Sequence, residues 1–139
     1  MILVDTNVVS EMMRHTPEPR VVEWLDAQAA ETLYFSTVSL AELLLGIATL
    51  PDGRRKVELG LSLAEQAVAL FGERVLPFDV AAAHAYAEVV GRARAAGRAI
   101  GVADGQIAAI AAANGLTVAT RDTTPFAAAG VPIIDPWSG

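Results

Sequence analysis

Four acidic residues, far apart in the chain, stand where they could do chemistry together: Asp5 in MILVDTN, Glu42 in VSLAELLLG, Asp104 in VADGQIAAIAAANG and Asp122 in TVATRDTTPF. Each closes an apolar run or opens a helical one. Gathered in one cleft, four carboxylates repel and cannot all stay ionised unless protons or cations offset them. The chain has no cysteine, and neither of its two histidines, His15 and His84, has a partner at metal-ligand spacing. Zinc is therefore a poor fit. An all-oxygen set suits Mg²⁺ or Mn²⁺, which bind through a few carboxylates and keep several waters. A site of that kind holds a phosphodiester, activates a water and stabilises the leaving oxygen.

Each carboxylate also has an ordinary explanation. An aspartate after a strand commonly caps a helix or forms a turn. At Asp5 the capping can pass to Thr6 or Asn7, which leaves the carboxylate to function. Glu42 could be a first-turn glutamate favoured by the helix dipole, but its neighbours Leu40, Ala41, Leu43 and Leu44 are apolar. Asp104 could be an N-cap, with Ala103 outside the helix, and Asp122 a turn residue. The joint case is stronger than any single one, because four separate explanations would all have to hold.

Supporting groups lie close by in sequence. The hydroxyls of Thr6, Ser39 and Thr120 can orient carboxylates or metal-bound water, although capping and strand packing are the default for Ser39 and Thr120. Asn7 either contacts phosphate or closes a turn. Arg121, beside Asp122, either pairs with a carboxylate or meets a phosphate. Arg54-Arg55-Lys56 reads as a solvated helix face. Arg92, Arg94 and Arg98, just before Asp104, are the better group for steering a phosphate backbone.

The elements that must position these residues follow an alternation of short β-like runs and helical stretches, expected for a parallel sheet with helices on both faces. Ile2–Val4 reads as a strand, Val8–Arg14 as a short helix, and Pro17 and Pro19 break the chain before a helix near Arg20–Ala29. Leu33–Ser36 is the next strand. Ser39 caps Leu40–Leu50, which ends at the turn Pro51-Asp52-Gly53. Arg54–Phe71 is helical, with Val57, Leu61, Ala64 and Val68 recurring at three and four residues. Arg74–Phe78 carries Pro77 and belongs at the sheet edge. Asp79 caps a helix reaching about Ala96, Ala103–Asn114 is an alanine-rich helix, and Leu116–Thr120 and Val131–Ile134 are the last of five strands. In such a sheet functional groups gather outside the carboxyl ends of the strands. Asp104 joins the others there if its helix starts at the same edge.

At 139 residues the whole chain, 1–139, is expected to be one domain with a sizeable core. Hydrophobic content is 53%, yet no apolar run approaches the roughly 20 residues of a membrane span. The N-terminus shows no signal-peptide pattern, and the absence of cysteine is compatible with the cytosol. A net charge of −6 argues against nucleic-acid binding by protein cations alone. A metal ion among the carboxylates would reverse the local sign.

MILVDTNVVSE, VSLAELLLG, ADGQIAAIA and TVATRDTTPF, in this order and spacing and with the closing GVPIIDPW, resemble a PIN-domain ribonuclease toxin of the VapC family across the whole chain. Within that family the resemblance is to the FitB-like branch, in which an aspartate directly follows the arginine of the last motif. The resemblance implies a PIN-like three-layer α/β/α sandwich acting as an Mg²⁺- or Mn²⁺-dependent endoribonuclease. Asp5, Glu42 and Asp104 would bind metal, with Asp122 as a fourth acidic member. It also implies an RNA substrate, a homodimer or a larger toxin–antitoxin assembly, and a VapB-like antitoxin that tucks a C-terminal segment into the acidic groove. Many relatives carry asparagine after that arginine and an acidic residue just before the phenylalanine. Here Asp122 follows Arg121 and Pro125 precedes Phe126.

The expectation is thus a cytoplasmic toxin hydrolysing RNA with a metal-activated water, and no membrane partner. One rival is a catalytically weak PIN-fold dimer acting mainly as a binding partner of its antitoxin. Another is a phosphatase or phospho-receiver forming an aspartyl-phosphate at Asp5. Such sites recruit a lysine from a late strand, and the only lysine here is Lys56.

Overall fold

The computed structural model describes residues 1–138. Three apolar residues, Ile2–Val4, form β1 at the middle of a five-stranded, wholly parallel sheet ordered β3-β2-β1-β4-β5. The flanking strands are β2 (Leu33–Ser36), β3 (Val75–Leu76), β4 (Thr117–Ala119) and β5 (Ile133–Ile134). Between and after them run α1 (Thr6–Met12), α2 (Pro19–Ala27), α3 (Thr37–Ala48), α4 (Arg54–Phe71), α5 (Val80–Ala95), α6 (Val102–Asn114) and α7 (Thr123–Ala129). The run expected at an edge does lie there, but only Val75–Leu76 pairs as β3, and the strand stops just before Pro77, which has no N–H to continue a ladder.

Side chains alternate across a strand, so β1 feeds two cores. Leu3 packs on one face with Val118, Ile107, Ile110 and Phe126. Val4 packs on the other with Val8, Val21, Phe35 and Phe71, where the last two rings stack with centroids 4.7 Å apart. With both faces covered, the central strands can be apolar throughout, and the result is the expected three-layer α/β/α sandwich.

Several boundaries move for local reasons. Helix α3 begins at Thr37 because Ser36, ending β2, is its N-cap and accepts from the Ser39 N–H at 2.9 Å; Ser39 is inside the helix and not its cap. Asp5, rather than Thr6 or Asn7, caps α1. Helix α6 starts after Gly101, so Asp104 is a first-turn residue and not an N-cap. Strands β3, β4 and β5 are shorter than the apolar runs that contain them. Helix α7, with Pro125 in its first turn, was not expected from the sequence. Val57, Leu61 and Val68 on α4 face outward, while Leu63 and Phe71 fill the core. Leu44 and Leu45 on α3 are likewise exposed. Among the described residues no helix is long and apolar enough to cross a membrane.

Candidate acidic site at the carboxyl edge of the sheet

The parallel register sets β1 between β2 and β4, so the residues that follow these strands emerge at one edge. Asp5 is held there by a last ladder bond from its N–H to the Ala119 carbonyl at 2.9 Å. The residue is only 4% exposed, and its carboxylate is gripped at both oxygens. Oδ1 accepts the Thr6 N–H at 2.8 Å, and Oδ2 accepts the Thr120 hydroxyl at 2.8 Å. Asn7 Nδ2 stands 3.5 Å from Oδ2.

Thr120 is used to capacity. A hydroxyl offers one donor and two acceptor positions. While donating to Asp5, this one accepts Asn7 Nδ2 at 3.2 Å and the Asp122 N–H at 3.0 Å. Asn7 Oδ1 in turn accepts the Arg121 N–H at 3.3 Å. Asn7 therefore ties the β1–α1 turn to the β4–α7 turn, so its amide is committed within the protein. On the α3 side, the Thr6 hydroxyl donates to Glu42 Oε1 at 2.8 Å, which couples Glu42 to the residue next to Asp5. Ser39 lies one turn before Glu42. Its buried hydroxyl has no hydrogen-bond partner among the described residues.

Asp104 is brought to this edge because α6 runs back towards β4 and so starts at the carboxyl side. The fit of its first turn depends on Gly105, where a Cβ would stand 2.9 Å from Val90 and 3.0 Å from Tyr86 on α5. A larger residue there would push the start of α6, and Asp104 with it, away from its neighbours.

The four carboxylates are linked through one another's charge at this edge. Burial pushes the Asp5 carboxyl up to about 6, against the pull of its bonds to Thr120 and Thr6, and the negative charges of Asp104 and Glu42 add to the rise. Burial also raises Asp104, helped by the charges of Asp122 and Glu42. Neither ion pair among the described residues, Arg14–Glu11 or Lys56–Asp52, involves any of the four. A buried carboxylate, facing others of like charge and matched by no protein cation, fits an oxygen-liganded divalent ion. Among the described residues no group of three acidic or histidine side chains is placed to hold a metal ion by itself, so an ion at this edge would have to draw on waters as well as carboxylates.

The remaining residues singled out in the sequence divide clearly. Asp122 is exposed at the N-cap position of α7, where its side chain makes no capping bond. Among the described residues Arg121 pairs with no carboxylate; its guanidinium lies over the Trp137 ring, 5.3 Å from the centroid. Arg94, in the last turn of α5, and Arg98, just after it, are exposed and bond to none of the four acids. His15 and His84 are both at the surface. Glu42 is shared by two hollows. One, of about 710 Å³, runs past Met13, His15, Ile47 and Arg55; the other, of about 430 Å³, passes Val38, Leu45, Phe78 and Gln106. No motif in the sequence links Arg121 to Trp137; the pairing of β4 with β5 brings the two turns that carry them to the same side of the sheet.

Fold and site together define a parallel α/β/α domain with an acidic pocket at the carboxyl edge of its sheet. A family model described as the PIN domain matches residues 2–131. Over 137 residues the chain is 54% identical to the plasmid stability protein StbB of Pseudomonas syringae pv. tomato, covering 99% of each chain. Over the same length it is 47% identical to the VapC ribonuclease Y4jK of Sinorhizobium fredii, covering 99% of this chain and 98% of that one. It is also 47% identical to Toxin FitB of Neisseria gonorrhoeae over 99% of both chains. The crystal structure of FitAcB from that organism superposes with a TM-score of 0.92 over 99% of each chain. The chain belongs to the PIN-domain family.

Proposed function

We propose that this protein is a metal-dependent endoribonuclease and the toxin half of a toxin–antitoxin pair. The observation that carries the proposal is the buried, hydrogen-bonded Asp5 facing Glu42 and Asp104 with no protein cation among them. Relatives similar over nearly their whole length are named as a VapC ribonuclease and a toxin, which supports the same reading.

Asp5, Glu42 and Asp104 are the residues that would hold Mg²⁺ or Mn²⁺. Such an ion, when bound, stabilises charge on the phosphate oxygens and makes a water more acidic. Thr120 and the Thr6 N–H fix both oxygens of Asp5, and the Thr6 hydroxyl fixes Glu42, so these ligands are oriented before anything binds. Asp122 at the rim would help hold a water or a second ion. Arg94 and Arg98 would act only by drawing in the RNA backbone. A VapB-like antitoxin is the expected partner, in the cytoplasm. Leu44 and Leu45 on α3 and Val57 and Leu61 on α4 are exposed large apolar side chains on two helices in contact, and they support a homodimer or a larger toxin–antitoxin assembly as surface that a partner would cover.

The test uses purified protein freed of antitoxin, offered cellular RNA with Mg²⁺, Mn²⁺ or EDTA. Cleavage is expected with either metal, none with EDTA, and none from Asp5→Asn or Asp104→Asn although both variants remain folded by circular dichroism. A wild-type chain that cuts no RNA with either metal would leave a PIN-fold dimer acting mainly as a binding partner of its antitoxin.

A further inference from the structure

Arg121 is out of place for an arginine in this setting. It lies next to Asp122 at the rim of an acidic pocket, in a chain of net charge −6, yet it joins neither ion pair among the described residues. Its guanidinium instead lies over the indole of Trp137, and its N–H is fixed to Asn7 Oδ1. Trp137 is itself held. Arg20 Nη1 donates to its carbonyl at 3.0 Å, its N–H donates to Asp135 Oδ1 at 2.9 Å, and its ring packs against the core on the Val4 side of the sheet. A guanidinium lying on an aromatic face is steadied by cation–π attraction while the N–H donors on its edge stay free. Those donors form a planar fork that matches two phosphate oxygens.

We propose that Arg121 is an RNA-contacting residue that takes a backbone phosphate beside the cleaved bond, and that Trp137 is the positioning residue that holds it ready. The proposal rests on the nuclease reading and deepens it: the acidic pocket repels a polyanion, and a braced cation at its rim gives the strand a fixed point. Arg121 is exposed, as a group meeting a flexible substrate must be, and its bracing lowers the entropy lost when the contact forms.

The experiment measures steady-state cleavage with Mg²⁺, and binding of a short mixed-sequence single-stranded RNA over a range of salt, for the full chain and its variants. Arg121→Gln is expected to raise KM about tenfold, the equivalent of one charge-assisted hydrogen bond, with kcat changed by no more than about twofold. The slope of log K against log salt should fall by about 0.7, the share of a single phosphate contact on a single strand. Trp137→Leu keeps apolar bulk but removes the ring face. It should reproduce most of the KM effect, Trp137→Tyr should restore it, and the Arg121→Gln/Trp137→Leu double variant should be no worse than Arg121→Gln alone. A Trp137→Leu variant that melts earlier with KM unchanged, or a double variant whose losses add, would overturn the bracing role. An unchanged salt slope in Arg121→Gln would overturn the phosphate contact. That binding arm decides even if the wild-type chain cleaves nothing, so failure of the nuclease reading and failure of this proposal are told apart.

Discussion

The turns after β1 and β4 each deliver an aspartate to the same edge of the sheet, and they treat it in opposite ways. Asp5 is buried, with bonds to both oxygens and a pKa raised to about 6. Asp122, one strand over, is exposed; its N–H is tied to Thr120, but its carboxylate accepts nothing among the described residues. The first is a fixed group whose desolvation is offset only in part by hydrogen bonds, so it favours a cation strongly. The second is free to turn and already hydrated, so it has less to gain. Two aspartates at equivalent strand ends therefore differ in rank.

The largest effect should come from Asp5. Asp5→Asn is expected to lower RNA cleavage by at least about 10³-fold, since an ion's stabilisation of the transition state is worth several kcal/mol. Asp122→Asn should lower it by no more than about tenfold, the lower end of the range for groups acting through a ligand's surroundings. Equal losses from the two would break the ranking and put Asp122 among the primary ligands. Calorimetric titration with Mn²⁺ sharpens the same contrast without turnover, because Asp5→Asn should abolish the heat that Asp122→Asn merely weakens.

Next in size is the effect of the shared hydroxyl. Thr120→Val keeps the shape of the side chain but leaves Asp5 Oδ2 without its closest donor and removes the acceptor of Asn7 and of the Asp122 N–H. Divalent affinity should fall about 10–100-fold, and stability by about 1–3 kcal/mol, the cost of unsatisfied buried polar groups. Titration with Mn²⁺ and urea unfolding check the two parts. A Thr120→Val variant with wild-type affinity would mean that Asp5 needs no such grip.

What could be read from the sequence follows from how local each feature is. The strand Ile2–Val4 and its aspartate are legible because an apolar run and a carboxylate are adjacent. The start of α3 is ambiguous in sequence because Ser36 and Ser39 can each cap a helix, and only the end of β2 at Ser36 decides between them. Helix α7 was hidden by Pro125, which reads as a breaker but is tolerated in a first turn, where its N–H would have had no partner. The periodicity of Val57, Leu61 and Val68 shows that α4 has an apolar face, but not whether that face meets this chain's core or solvent. The convergence of Asp5, Glu42 and Asp104 needed the parallel register as well as the motifs. The contact of Arg121 with Trp137 depends on β5 lying beside β4, which no short motif encodes.

The smallest effect concerns stability without metal, and its sign can be worked out. The Asp5 carboxyl sits at about 6 in the folded chain against 3.8 for the free group. Between those values the folded form holds the proton more tightly, so this group contributes stability as pH falls through 6, and at neutral pH its ionised form works against the fold by at most about 3 kcal/mol. Asp104 is shifted in the same direction and adds to the trend. Urea midpoints of the metal-free protein should therefore rise on going from about pH 7.5 to about pH 5.5. Saturating Mg²⁺ should flatten the rise, because a bound cation stabilises the ionised carboxylates that the proton would otherwise neutralise. Asp5→Asn removes the repulsion at neutral pH, but its amide cannot accept at both ends. One of the bonds from Thr6 and Thr120 is lost, at about 1 kcal/mol, which offsets part of the relief. The variant should be slightly more stable than wild type at neutral pH without metal, by about 1 kcal/mol, and should lose that advantage at lower pH and on adding Mg²⁺. A variant less stable than wild type throughout would show that the hydrogen bonds around Asp5 outweigh its repulsion, and that the site is held together more by its donors than it is pushed apart by its charges.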